Sequence, residues 1–175
     1  VNGGDINITA LDDINLTLVN AEGMSSTGNV GVTSTDGAIA DDGDAAADVI
    51  ANVLTADAAG GVDLDTDVDS LDASTSAAGA IDIDENNAIT MTDVSTFNGT
   101  IDVEAVGQIS ATNVVSSNTD NDNNDITLTS IGAGIQAGYI ESGVLNDVTL
   151  DADTDITDGS AGESANIIAD QATLT

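Results

Sequence analysis

The side chains of this chain that could do chemistry are carboxylates. Asp63, Asp65, Asp67 and Asp69 stand at alternate positions along one stretch, opposite Val62, Leu64 and Val68. In an extended strand that spacing puts all four on one face. They would form a row of hard oxygen donors of the kind that gathers Ca2+. A second group, Asp120, Asp122 and Asp125, is interleaved with Asn118, Asn121, Asn123 and Asn124. It reads as an exposed corner loop that could serve the same ion, although it lacks the glycine and terminal Glu of an EF-hand loop. Asp41, Asp42, Asp44 and Asp48 form a third loop cluster. For each group the competing reading is a solvated acidic face.

The rest of the composition narrows the chemistry sharply. The 175 residues carry 32 acidic side chains and no Lys, Arg, His, Cys, Pro or Trp, for a net charge of −32, with one Phe and one Tyr. Without imidazole or thiol there is no Ser-His-Asp triad and no ordinary zinc or haem site. Without cations there is nothing to neutralise phosphates, so nucleic acid is excluded as a partner. Paired carboxylates can hydrolyse glycosides. Here, however, no cation and almost no aromatic would hold a sugar or set one carboxyl apart from its neighbours. The chain is therefore expected not to be an enzyme and to require no cofactor, Ca2+ being the one ion its donors would suit. No stretch approaches 18 consecutive apolar residues, so no helical membrane span is expected.

Such carboxylates need a frame, and the frame is written as a repeat. Gly or Asn, any residue, Ile or Val, any residue, then an aliphatic recurs as GDINI at Gly4, GNVGV at Gly28, GGVDL at Gly60, GAIDI at Gly79, GTIDV at Gly99, NDITL at Asn124 and NDVTL at Asn146. The central aliphatics Ile6, Val30, Val62, Ile81, Ile101, Ile126 and Val148 are spaced by 24, 32, 19, 20, 25 and 22 residues. A second aliphatic follows each at 8 or 9 residues, from Ile14 after Ile6 to Ile156 after Val148. A third, five residues further on, is present as Val19, Val94, Val114 and Ile140. Period-2 alternation turns the aliphatics to one side and Asp, Thr and Asn to the other. One such coil cannot bury its inner face alone, whereas stacked coils bury a continuous core. The fold expected is all-β: a parallel β-helix of about seven coils, with roughly three short strands per coil. The seven central aliphatics are expected to form one inward ladder.

A longer period overlies the coils. Asp5-Ile6 reappears as Asp125-Ile126, Ile14 as Ile135, Val19 as Ile140, Val30 as Val148, Ile39 as Ile156 and Asp41 as Asp158, at offsets of 117 to 121 residues. This reads as five coils followed by the first two again. Residues 1–175 would then be one continuous solenoid holding about 1.5 copies of a repeat of about 118 residues, a window on a longer array. Neither end looks capped, since Asn2 to Thr9 is already a good coil and Ala165 to Thr175 still carries Ile167, Ile168 and Leu174. The expected partner is therefore self, by covalent continuation or by head-to-tail stacking into a filament.

The segments GDINIT, DDINLT, NGTIDV and GQISAT resemble the repeats of filamentous-haemagglutinin-type adhesins and other giant repetitive bacterial surface proteins. The resemblance implies a right-handed β-helix, secretion to the cell surface, and a role in adhesion, biofilm or surface structure. The function expected is a structural shaft segment of a long extracellular filament. The alternatives are an adhesin segment that binds a host, matrix or surface ligand and, behind it, a polysaccharide-active enzyme. Seven coils at about 4.8 Å make a rod of roughly 34 Å, or about one charge per ångström. Duplex DNA condenses counterions at about one charge per 1.7 Å, so this rod should gather cations as well.

Overall fold

The structure is a computed structural model that describes residues 3–116, 124–162 and 164–175. Among these there are seventeen strands and no helix, and every pairing between strands is parallel. The chain winds as a β-solenoid of about seven turns, each turn passing three sides.

The first turn consists of β1 (Ile6–Ala10), β2 (Ile14–Asn15) and β3 (Val19–Asn20), one strand to a side. On the first side β1 pairs with β4 (Val30–Ser34), and β4 with the second half of β6 (Val49–Ala58). That half of β6 pairs with the end of β7 (Val62–Ala78), giving the inward ladder Ile6, Val30, Leu54 and Leu71. Two residues further along the same side a second ladder runs through Val32, Ala56, Ala73, Val94, Val114, Ile140 and Ile167, its last four members on the later halves of β9 (Ile89–Asn98), β11 (Ile109–Val115) and β13 (Ile135–Glu141) and on β16 (Ile167–Ile168).

The second side takes β2, β5 (Ile39–Ala40), the start of β7, β8 (Ile81–Glu85), β10 (Ile101–Ala105), β12 (Ile126–Ser130), β14 (Val148–Ala152) and β17 (Ala172–Leu174). Its ladder is Ile14, Ile39, Val62, Ile81, Ile101, Ile126, Val148 and Ala172. The third side stacks Val19 on Val49, then Ala51 on Val68. Its later turns are Ile89, Ile109, Ile135 and, on β15 (Ile156–Asp158), Ile156.

These ladders correct one expectation. The seven central aliphatics do not form a single ladder: Ile6 and Val30 are on the first side, and Val62 to Val148 on the second. The spacing of 32 residues from Val30 to Val62 is one turn of 24, as from Val30 to Leu54, plus one side of 8. Every side repeats the same alternation, so the motif alone does not say which side it occupies.

The core is one continuous column of Ile, Val, Leu, Ala and Met side chains. Its twelve largest fully buried members, among them Ile39, Leu71, Met91 and Leu128, follow from the alternation. The glycine that opens several motifs is a stacking requirement. A Cβ added at Gly99 would stand 2.2 Å from the Gly79 carbonyl oxygen, and one at Gly79 would stand 2.4 Å from the Gly60 carbonyl carbon. Asn takes that place at Asn124 and Asn146, where Asn146 Oδ1 accepts from the Asn124 amide at 3.1 Å.

An aspartate just before the aliphatic ties one turn to the next. Asp5 Oδ1 accepts from Asn29 N at 2.9 Å, Asp13 Oδ1 from Ala38 N at 2.9 Å, Asp125 Oδ1 from Asp147 N at 2.8 Å and Asp147 Oδ1 from Gln171 N at 3.2 Å. A charge-assisted bond to a backbone N–H is among the stronger hydrogen bonds, so part of the acidity has a structural use.

Candidate functional site

The acidic stretch in β7 alternates as its sequence implies, with Val62, Leu64, Thr66 and Val68 buried and the four aspartates turned outward. The strand does not stay on one side, however. Val62–Thr66 pairs with β8 on the second side, and Thr66–Ser70 pairs with Val49–Val53 on the third. Asp63 and Asp65 therefore share a face, while Asp67 and Asp69 lie past the corner. Asp67 Oδ1 accepts from the Asn87 side-chain amide.

What Asp63 and Asp65 join is a grid. Asp63 is in register with Asp82 and Asp82 with Asp102; Asp65 is in register with Asp84 and Asp84 with Glu104. Six carboxylates thus stand in two columns on the second side, with backbones at the interstrand distance of about 4.8 Å. Unit charges at about 4 Å repel by roughly 1 kcal/mol in bulk water and about 4 kcal/mol near a protein surface. Burial first, and neighbouring carboxylates second, push the Asp63, Asp65, Asp82 and Asp102 carboxyls above their usual range. The signal for Asp82, Asp84, Asp102 and Glu104 was present in IDID and IDVE, whose outward positions stack on those of VDLD once the register is known.

At the edge of this grid the loop of residues 41–48 folds back over the strands. Asp41, Asp44, Asp63, Asp65, Asp82 and Asp84 line a shallow depression there. Asp41, Asp48 and Asp65 each offer a carboxylate oxygen, and the three oxygens lie within 4.8 Å of one another. Asp48 is only 1% exposed. It is fixed by its own backbone, since Asp48 N donates to Asp65 O at 2.8 Å and Val19 N donates to Asp48 O at 2.6 Å. Its Oδ2 accepts from Asp65 N at 3.1 Å. Burial pushes the Asp48 carboxyl up to about 6; the Asp65 N–H works against this, and Asp41, Asp65 and Asp42 add to it. Gly43 closes the loop at a φ of 85°, donating its N–H to Asp41 Oδ2 at 3.0 Å.

This donor set is oxygen-only. Its chemistry is that of a proton shared between carboxyls or of a hard cation such as Ca2+, which takes 6–8 oxygens, protein and water together. Of the second sequence cluster, Asp120 and Asp122 lie outside the described residues, and Asp125 holds the Asp147 amide of the next turn.

Sequence reasoning passed over a further carboxyl, Glu85, which is 2% exposed. It is the third inward position of IDIDE and stacks between Thr66 and Ala105. It accepts from Thr66 Oγ1 at 2.8 Å, Asn87 N at 3.0 Å and Val68 N at 3.2 Å. Burial raises its pKa, against the pull of those donors.

The chain matches no protein-family model, no curated protein and no solved structure. The fold itself defines the class, a parallel β-solenoid of about seven turns, compatible with a β-helix repeat protein.

Proposed function

We propose that this chain is a structural shaft segment of a long β-helical filament of the bacterial cell surface, of the filamentous-haemagglutinin-like kind. One observation carries the reading: the same three-sided turn repeats along the chain, with one aliphatic column running from Ile6 to Ala169. Such a column transmits length and stiffness, and each turn contributes about 4.8 Å of rod. The acidic exterior adds to the reading, because a net charge of −32 keeps such rods apart and draws in cations. The filament grows along the solenoid axis, by covalent continuation of the array or by head-to-tail stacking of copies. Chemistry is not its task, since the outer face offers carboxylates without a cation to hold a substrate.

A second reading, an adhesin segment that takes a surface ligand on its loops, draws on Met24, Val144 and Leu145, which stand exposed at loop tips. Deleting the segment from the native filament separates the two. A shaft loses about 34 Å of length for seven turns and keeps its surface binding. An adhesin segment takes the binding with it.

A further inference from the structure

We propose that the long sequence period advances this solenoid by five turns and one side, so that successive repeats present equivalent features one face further round. The inference rests on the array reading for its wider consequence, and on register alone within this chain. The sides occupied by the equivalent residues decide it. Ile6 is on the first side and its counterpart Ile126 on the second; Ile14 is on the second and Ile135 on the third. Val19 is on the third and Ile140 on the first. Val30 and Val148, Ile39 and Ile156, and Val49 and Ile167 are displaced in the same sense. Counted along the chain, each pair is sixteen sides apart, whereas five whole turns would be fifteen.

The equivalence is structural as well as sequential. The bond from Asn29 N to Asp5 Oδ1 on the first side has its counterpart in the bond from Asp147 N to Asp125 Oδ1 on the second. Exposed apolar residues follow the same rotation. Leu11 sits at the corner between the first and second sides, and Ile131, 120 residues later, at the corner between the second and third. Met24 projects between the third and first sides, and Val144, again 120 residues later, between the first and second.

In an array, three repeats return to phase after sixteen turns. Identical loops and carboxylates then face three directions in rotation, and no single stripe of the rod carries all of them. A shaft built this way offers neighbouring filaments the same surface on every side.

The absence of cysteine in the chain permits a direct test of register. Thr33 is the neighbour of Asp57 across turns, within the usual Cα separation of a disulfide of about 4.4–6.8 Å. Thr33→Cys with Asp57→Cys should close on mild oxidation and lose both free thiols. Thr33→Cys with Asp65→Cys, the pair that whole-turn repeats would bring together, should keep both. Thr9→Cys with Thr33→Cys closes under either register and controls for folding and oxidation. Closure of the 33–65 pair in place of the 33–57 pair overturns the inference.

At the level of the filament, the axial period should be about 77 Å, sixteen turns of about 4.8 Å, and not about 24 Å for five. Rods with the shorter period would overturn this inference and leave the shaft reading standing. Native material without rods would sink the shaft reading while the cysteine pairs still decide the register.

Discussion

Two corners of this molecule hold equivalent places in the long repeat and answer a carboxylate in different ways. In the first, Asp41 and Asp48 flank a loop between Ile39 and Val49; in the second, Asp158 and Asn166 flank the corresponding loop between Ile156 and Ile167. Where the first corner brings carboxylates together, the second pairs a carboxylate with an amide. Asn166 Nδ2 lies 2.9 Å from Asp158 Oδ1, 2.7 Å from Ala137 O and 3.0 Å from Gly138 O. The consequences are opposite. The Ser160 N–H, then the Asn166 amide and the Ser160 hydroxyl, hold the Asp158 carboxyl below its usual range. Burial, countered by the Asp65 N–H but reinforced by Asp41, pushes Asp48 up to about 6. Equivalent places in the repeat therefore hold either an internally satisfied corner or one whose crowded charge is relieved by a proton or a cation.

The largest effect should come from converting the satisfied corner into the other kind. Asn166→Asp replaces a donor by an acceptor facing two carbonyls and a carboxylate. It should cost about 2–4 kcal/mol, seen as a lower midpoint in chemical denaturation at pH 7. The loss should shrink as the pH is lowered and the new carboxyl is protonated. An unchanged midpoint would mean that the amide bonds at this corner carry no weight.

The reverse exchange should stabilise. Asp48→Asn keeps an oxygen for the Asp65 N–H, removes a buried charge and gives Asp41 an amide partner. A gain of about 1–2 kcal/mol at pH 7 is expected. The pH dependence follows from the direction of the shift. A carboxyl whose folded pKa exceeds its unfolded value binds its proton more tightly when folded, so stability grows as pH falls from about 7 through 6 towards 4. Asp63, Asp65, Asp82, Asp102 and Glu85 are raised too and act in the same sense. Asp158 is lowered and acts in the opposite sense, and its contribution is lost as pH falls through its folded value. The wild-type chain should therefore melt higher at pH 5 than at pH 7. Asp48→Asn should flatten that slope and match the wild type near pH 4. A wild-type stability that falls steadily from pH 7 to pH 5 would contradict the upward shifts.

The smallest effect concerns cations. Ca2+ should stabilise the fold beyond Mg2+ at matched ionic strength, by about 1 kcal/mol when free Ca2+ is roughly five times its Kd, read as a higher melting temperature. Asp65→Asn or Asp41→Asn should remove that excess and Asp158→Asn should leave it. Equal responses to the two ions would assign the relief to a diffuse atmosphere around the rod.

Much of this is legible in the sequence alone. The alternation in VDLD, IDID and IDVE gave the buried and outward residues, and the recurring glycine gave the corners. The resulting stack of turns needs no long-range information. Register was harder, because every side carries the same motif. The clue was arithmetic: the gap of 32 residues between Val30 and Val62 is a turn plus a side. Reading it as one long turn hid both the split ladder and the carboxylate grid, which exists only once Asp63 is stacked on Asp82 and Asp102. Asp48 was beyond pattern reading altogether, since it lies in a loop without period and its burial depends on how that loop folds over β7. Glu85 falls on the next inward position after Ile81 and Ile83, but a carboxyl is seldom buried without partners, and its partners Thr66, Val68 and Asn87 come together only in the fold.

A shaft of stacked turns has a direct signature in electron microscopy of native filaments combined with fibre diffraction. Long, unbranched rods of constant width are expected, with a strong axial spacing of about 4.8 Å from strands lying across the rod. Compact particles without that spacing would contradict the shaft reading.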